Sequence, residues 1–294
     1  MSDKFYGTGV ALVTPFHEDG GLDETGLANL VNHVIDGGVE YLVVLGTTGE
    51  SATQTKEEKK RVLEVVKTIN DGRRPIVLGV GGNNTQQVIE DIASADLRGV
   101  DAILSVSPYY NKPTQEGIYQ HYKAIALKCP LPIILYNVPG RTSSNISATT
   151  TLRLAEDFEN IIAVKEASGN MEQIMEIIQN KPDDFLVISG DDNLTFPMIA
   201  MGGAGVISVS GQGFPSIFSQ MVRDGLAGKM VEAREAHYRL FEITRMLFSE
   251  GNPGGIKAVL HHIGICKEHM RLPLWPISDG LRNSIVEETR RILQ

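Results

Sequence analysis

The 294-residue chain is 42% hydrophobic and 21% charged, the balance of a folded globular protein long enough for a large core. Its formal net charge of −9 opposes long-range attraction to nucleic acid or anionic lipid, and Cys129 and Cys266, without CxxC spacing or a Cys/His cluster, support neither a disulfide framework nor a zinc site. No apolar run reaches membrane-spanning length and no basic-then-apolar leader opens the chain, so the expectation is a cytoplasmic protein acting on a small molecule.

Along the chain, short apolar runs rich in β-branched residues alternate with segments of helical period. The predicted strands are 10–13, 41–45, 76–80, 102–106, 133–136, 161–164, 186–189 and 205–208. Helices are predicted at 22–36, 56–69, 85–97, 115–127 and 171–178. In 56–69, Val62, Val65, Val66 and Ile69 recur at helical spacing against a charged face, which needs nothing beyond an outward-facing helix. Such βα alternation predicts an α/β fold, a closed (β/α)8 TIM barrel. A doubly wound open sheet is the rival, but the first strand runs into "VTPFHEDG" and not into a GxGxxG turn. From residue 229 the pattern changes to helices alone, at 229–250, 255–263 and 278–293, broken by Gly251-Asn252-Pro253-Gly254 and "RLPLWP". Residues 1–228 are therefore expected to form the catalytic barrel, and 229–294 a C-terminal helical extension serving as cap or association surface.

Barrel chemistry gathers where strands end, so those ends carry the candidates. Lys165 follows the buried run 161–164. It is either a rim charge that snorkels or pairs with Glu166, or an amine in an apolar setting of the kind that lowers a lysine's pKa and lets it attack a carbonyl. Tyr136 ends the fifth strand, next to the sixth in a barrel, which would bring it close to Lys165; alone it equally fits an amphipathic cap on the core. Arg141, in the following loop, is a solvated charge or a fork for a carboxylate. "GTTGES", residues 46–51, offers close-approaching backbone amides and the hydroxyls of Thr47, Thr48 and Ser51, although a helix N-cap with a capping glutamate explains some of the same residues. Tyr109 and Tyr110 add two phenols, or packing surface. One basin holding an amine, phenols, hydroxyls and a guanidinium, with no metal cluster, suits carbonyl chemistry on an anionic keto acid.

"GTTGES", "PYYNKPTQEG", "YNVPGRT", "VKEASGN", "SGDD" and "GVISV" occur in the order and spacing of the dihydrodipicolinate synthase family, pyruvate-dependent class I aldolases on (β/α)8 barrels. The resemblance covers essentially the whole chain. It implies a lyase that condenses pyruvate with (S)-aspartate 4-semialdehyde in the diaminopimelate and lysine pathway, with Lys165 as the Schiff-base lysine and no metal or organic cofactor. By the same resemblance Tyr136 is the proton donor and acceptor, and Thr47 and Tyr110 complete its relay. Tyr110 would come from a neighbouring subunit, so a homodimer is the minimum complete site and a homotetramer, a dimer of dimers, is expected. Thr48, Gly190 and the backbone around Ile207 match substrate-binding positions. Arg141 matches the arginine that takes the semialdehyde carboxylate and separates this branch from the sugar-acid lyases. Where lysine-inhibited relatives carry two histidines and a glutamate around their effector pocket, this chain has Lys56, Lys59 and Gln87 beside matching Ser51, Ala52, Asn83 and Tyr109. Extra cations and a lost carboxylate imply weak or absent feedback by lysine.

Overall fold

A computed structural model describes residues 2–294. Eight parallel strands close on themselves in sequence order: β1 Gly7–Ala11, β2 Tyr41–Val44, β3 Ile76–Gly79, β4 Ala102–Val106, β5 Ile133–Asn137, β6 Ile161–Glu166, β7 Leu186–Ser189 and β8 Gly205–Ser208. Around them run α1 Glu24–Asp36, α2 Lys56–Asn70, α3 Thr85–Ser94, α4 Gln115–Ala126, α5 Pro139–Thr142, α6 Ala148–Asp157, α7 Met171–Asn180, α8 Thr195–Ala200 and α9 Pro215–Leu226. Three further helices, α10 Met230–Phe248, α11 Gly254–His262 and α12 Asp279–Leu293, follow without strands. The expected (β/α)8 barrel is the observed one.

Strand alternation divides the core into two layers. Ala102 and Leu104 of β4, and Ile134 and Tyr136 of β5, join an inner cluster with Val43, Val77, Ala163, Ile188 and Ile207. Ile103, Ile133, Leu135 and Val164 face the other way, into the larger cluster shared with the helices. Phe5 meets the ring of Tyr41 edge-on, with centroids 5.5 Å apart, and the Tyr41 hydroxyl donates to Val206 O at 3.1 Å. Gly9 makes room for that ring, since a Cβ there would lie 2.1 Å from Tyr41 Cε2. This glycine-rich start explains why β1 begins at Gly7 and not at residue 10, because glycine carries little strand signal in a sequence.

Strand β6 departs from plain alternation. Ile133 pairs with Ile161 but Ile134 pairs with Ala163, so Ile162 is an extra residue in β6. Ile162 and Ala163 both belong to the inner cluster, whereas Ile161 and Val164 belong to the outer one. The bulge therefore resets the phase of the strand, and Lys165, two residues past Ala163, faces inward. The strand also runs two residues beyond the predicted 161–164, because Lys165 and Glu166 pair with Tyr136 and Asn137 on one side and with Ile188 and Ser189 on the other.

Helix α2 starts with a capping box in which the Thr55 hydroxyl accepts from Glu58 N and the Glu58 carboxylate accepts from Thr55 N. The capping function weighed for "GTTGES" thus falls four residues downstream, and its Glu50 has other partners.

In α4, His121 is 5% exposed, with Nδ1 2.8 Å from the Thr85 hydroxyl and Nε2 buried without a partner among the described residues. Burial lowers its pKa to about 4. The unfolded imidazole titrates near ~6.5, so between the two values the unfolded chain binds a proton that the folded chain does not, and stability falls as pH drops through that window. Going from about pH 7 to about pH 5 should remove about 2 kcal/mol through this residue. We expect His121→Asn to show a correspondingly shallower acid loss in urea midpoints, and an unchanged pH slope would refute the assignment.

Candidate active site

The sixth strand carries the site's only predicted amine to the barrel interior. Lys165 is 5% exposed, and its Nζ lies 4.3 Å from the centroid of the Tyr136 ring. The register partner of Lys165 in β5 is Tyr136 itself, so the contact follows from sheet pairing and not from a flexible loop. Lys165 makes no ion pair among the described residues. Its pairing with Glu166, the bland reading, does not occur. Glu166 faces the opposite side, where both carboxylate oxygens accept from Asn137 Nδ2 (3.1 and 3.0 Å), Oε1 accepts from Ser168 N (2.8 Å) and Oε2 from Gln173 Nε2 (3.0 Å). That network satisfies the buried carboxylate and fixes the turn after β6, leaving the amine on the inner face.

Gly190, the residue after β7, packs against this lysine. A Cβ there would lie 3.0 Å from Lys165 Cε and 2.7 Å from Ala167 Cβ, while its own N–H is committed to Glu166 O at 2.7 Å. The geometry gives Gly190 a space-making role beside the amine. Ile207 of β8 is buried in the same inner cluster as Tyr136 and Ile188.

Thr47 and Thr48 open a 3-10 turn, Thr47–Gly49, that follows β2 after Leu45 and Gly46. Thr48 is buried and its Oγ1 accepts from Asn252 Nδ2 at 2.9 Å, which leaves the hydroxyl hydrogen free to donate; Thr47 is exposed. The next corner is Glu50, left-handed at φ 53°, with its side chain fully buried against Lys257 of α11. Lys257 Nζ donates to Glu50 Oε1 and to His269 O (2.7 Å) and sits 4.8 Å from the Phe16 ring centroid, and Glu50 Oε2 accepts from Arg271 N at 3.1 Å. Burial pushes the Lys257 amine down, opposed by the adjacent Glu50 charge. Asn252, Glu50 and Lys257 were not anticipated. Asn252 reads as part of a Gly/Pro breaker, and residues 207 positions apart with opposite charges read as separate surface groups.

Tyr110 and Arg141 are not drawn into the basin by their own chain. Tyr110, left-handed at φ 69°, is 88% exposed. Arg141 is exposed in α5, and among the described residues neither side chain has a hydrogen-bond or ion-pair partner. They sit in the segments following β4 and β5, Tyr110 in a loop and Arg141 in the short α5, on the face where Lys165 and Tyr136 lie near the ends of their strands.

An inward amine stacked on a phenol at the C-terminal mouth of a (β/α)8 barrel defines the Schiff-base, class I aldolase type of lyase. A family model described as the Dihydrodipicolinate synthetase family matches residues 4–291. A 4-hydroxy-tetrahydrodipicolinate synthase of Flavobacterium psychrophilum is 55% identical over 98% of both chains. The solved dihydrodipicolinate synthase of Aquifex aeolicus superposes with a TM-score of 0.94 at 42% identity, covering 98% of both chains. A chloride-inhibited dihydrodipicolinate synthase of Acinetobacter baumannii, solved in complex with pyruvate, gives 0.95 at 38% identity, again over 98% of both chains. The chain belongs to the dihydrodipicolinate synthetase family.

Proposed function

We propose that this protein condenses pyruvate with (S)-aspartate 4-semialdehyde to give 4-hydroxy-tetrahydrodipicolinate, a step of diaminopimelate and lysine biosynthesis. The observation that carries the reading is the unpaired inward amine of Lys165 against the ring of Tyr136. The neutral amine attacks the keto carbon of pyruvate, and the carbinolamine expels water to give an iminium. Loss of a methyl proton gives the enamine, whose carbon attacks the semialdehyde's aldehyde carbon, with a proton delivered to the new alkoxide. The product's own amine then displaces Lys165 from the iminium carbon and closes the ring.

Tyr136 moves these protons, with Thr47 and Tyr110 as its relay to solvent. The Thr48 hydroxyl and backbone near Ile207 hold the pyruvate carboxylate, Gly190 leaves space beside the amine, and Arg141 receives the semialdehyde carboxylate as a bidentate fork. The two unpaired cysteines, Cys129 and Cys266, suit a reducing cytoplasm. No helix among the described residues is long and apolar enough to cross a membrane.

A coupled assay with both substrates tests the reaction, and it should show turnover with the semialdehyde and none in the cleavage of N-acetylneuraminate or keto-deoxy-gluconate. The same assay should show full activity in millimolar lysine. Lys56 Nζ lies 3.3 Å from Asp91 Oδ1, which also accepts from Gln87 Nε2 at 2.9 Å, so that carboxylate is occupied, while Lys59 has no ion-pair partner among the described residues. Micromolar inhibition by lysine would contradict this arrangement.

The 88% exposure of Tyr110 supports its use by a second subunit, in a homodimer or dimer of dimers. Subunits carrying Lys165→Met, exchanged one-to-one with Tyr110→Phe subunits, should recover about a quarter of wild-type activity, because each mixed dimer then holds one complete site. No recovery after verified exchange would place Tyr110 in its own subunit's site.

A further inference from the structure

We infer that the buried Lys257–Glu50 pair is a positioning device for pyruvate, through which the helical extension holds the loop bearing Thr47 and Thr48 in its working shape. The inference rests on the proposed function above. Both side chains are fully buried, and each makes a further hydrogen bond to main chain, Lys257 to His269 O and Glu50 to Arg271 N–H. Removing two charges from water is costly, and an apolar pair of similar volume would often serve stability as well. What an apolar pair lacks is direction.

Direction matters at this corner. Glu50 is a non-glycine residue held at φ 53° between two 3-10 turns, Thr47–Gly49 and Ser51–Thr53, a conformation that persists only where its surroundings impose it. The pair anchors the side chain of that residue. Two more anchors on the same loop come from beyond residue 228: Asn252 Nδ2 on Thr48 Oγ1, and Arg271, whose guanidinium donates to Thr53 O at 3.1 Å and to the Glu58 carboxylate. Asn252 lies just before α11 and Lys257 within it, so one rigid element controls both the Thr48 hydroxyl and the corner that follows. Neither Lys257 nor Glu50 reaches solvent or the substrate basin, which makes them positioning residues and not catalytic ones.

Lys257→Met leaves Glu50 buried without its cation, so that variant can fail by unfolding; the double variant Lys257→Met/Glu50→Gln removes both charges and keeps the volume. In the double variant we expect wild-type circular dichroism and thermal midpoint, a pyruvate KM raised at least ten-fold, a lowered kcat, and a semialdehyde KM within two-fold of wild type. The asymmetry arises because the loop contacts pyruvate, whereas Arg141 belongs to α5, which follows β5. A double variant with both KM values and kcat at wild-type levels would overturn the inference, as would equal increases in the two KM values. Borohydride with pyruvate separates this from the underlying reading: wild-type protein that traps no adduct at Lys165 removes the proposed function, whereas wild-type trapping with unaltered variant kinetics removes only the positioning role.

Discussion

Lys165→Met should abolish the borohydride-trapped pyruvate adduct and lower kcat by at least ~10³-fold, since no other group of the site can form the iminium. Methionine keeps the length and most of the volume of the side chain, so the packing against Gly190 and the Tyr136 ring persists. Intact-protein mass after borohydride, together with steady-state rates, checks the result. A Lys165→Met protein that still accumulates the adduct would place the Schiff base on another lysine, and Lys257, the other buried lysine among the described residues, would be the first to examine.

Tyr136→Phe is expected to lower kcat by ~10²–10⁴-fold, the range of a lost general acid–base group, while leaving pyruvate binding within a few-fold of wild type. The phenyl ring retains its place in the inner cluster, so folding is not the variable. In the proposed relay the phenol serves several proton transfers, so adduct formation with pyruvate alone should slow as well, by a factor readable in a single-turnover trapping experiment. Wild-type kcat in this variant would remove Tyr136 from the relay and leave it as the aromatic floor beneath the amine.

Much of this arrangement is legible in the amino-acid order. Parallel strands buried on both faces announce themselves as β-branched runs, so β4, β7 and β8 coincide with their predicted spans. Helices whose signal is diluted are not named by the same reading: α6 opens with a threonine run, and α8 is a six-residue helix with a proline inside it. The lysine, the phenol and their adjacency follow from strand order, but which face Lys165 takes does not. Counting from the outward Ile161, simple alternation would turn Lys165 outward as well, and only cross-strand pairing reveals the extra residue. The Glu50–Lys257 contact is invisible for a different reason, because charged residues far apart in a sequence carry no pattern that predicts mutual burial.

The bulge at Ile162 makes the polarity of the pit a matter of residue count. Smoothing β6 into plain alternation with all its residues kept would exchange the two neighbours at its end, sending an ammonium into the greasy layer beneath the helices and a carboxylate toward the incoming keto acid. Every residue would be conserved, yet the basin would repel the anion it now receives. Deleting that one apolar residue, by contrast, takes out the insertion itself and leaves the ammonium on the inner face.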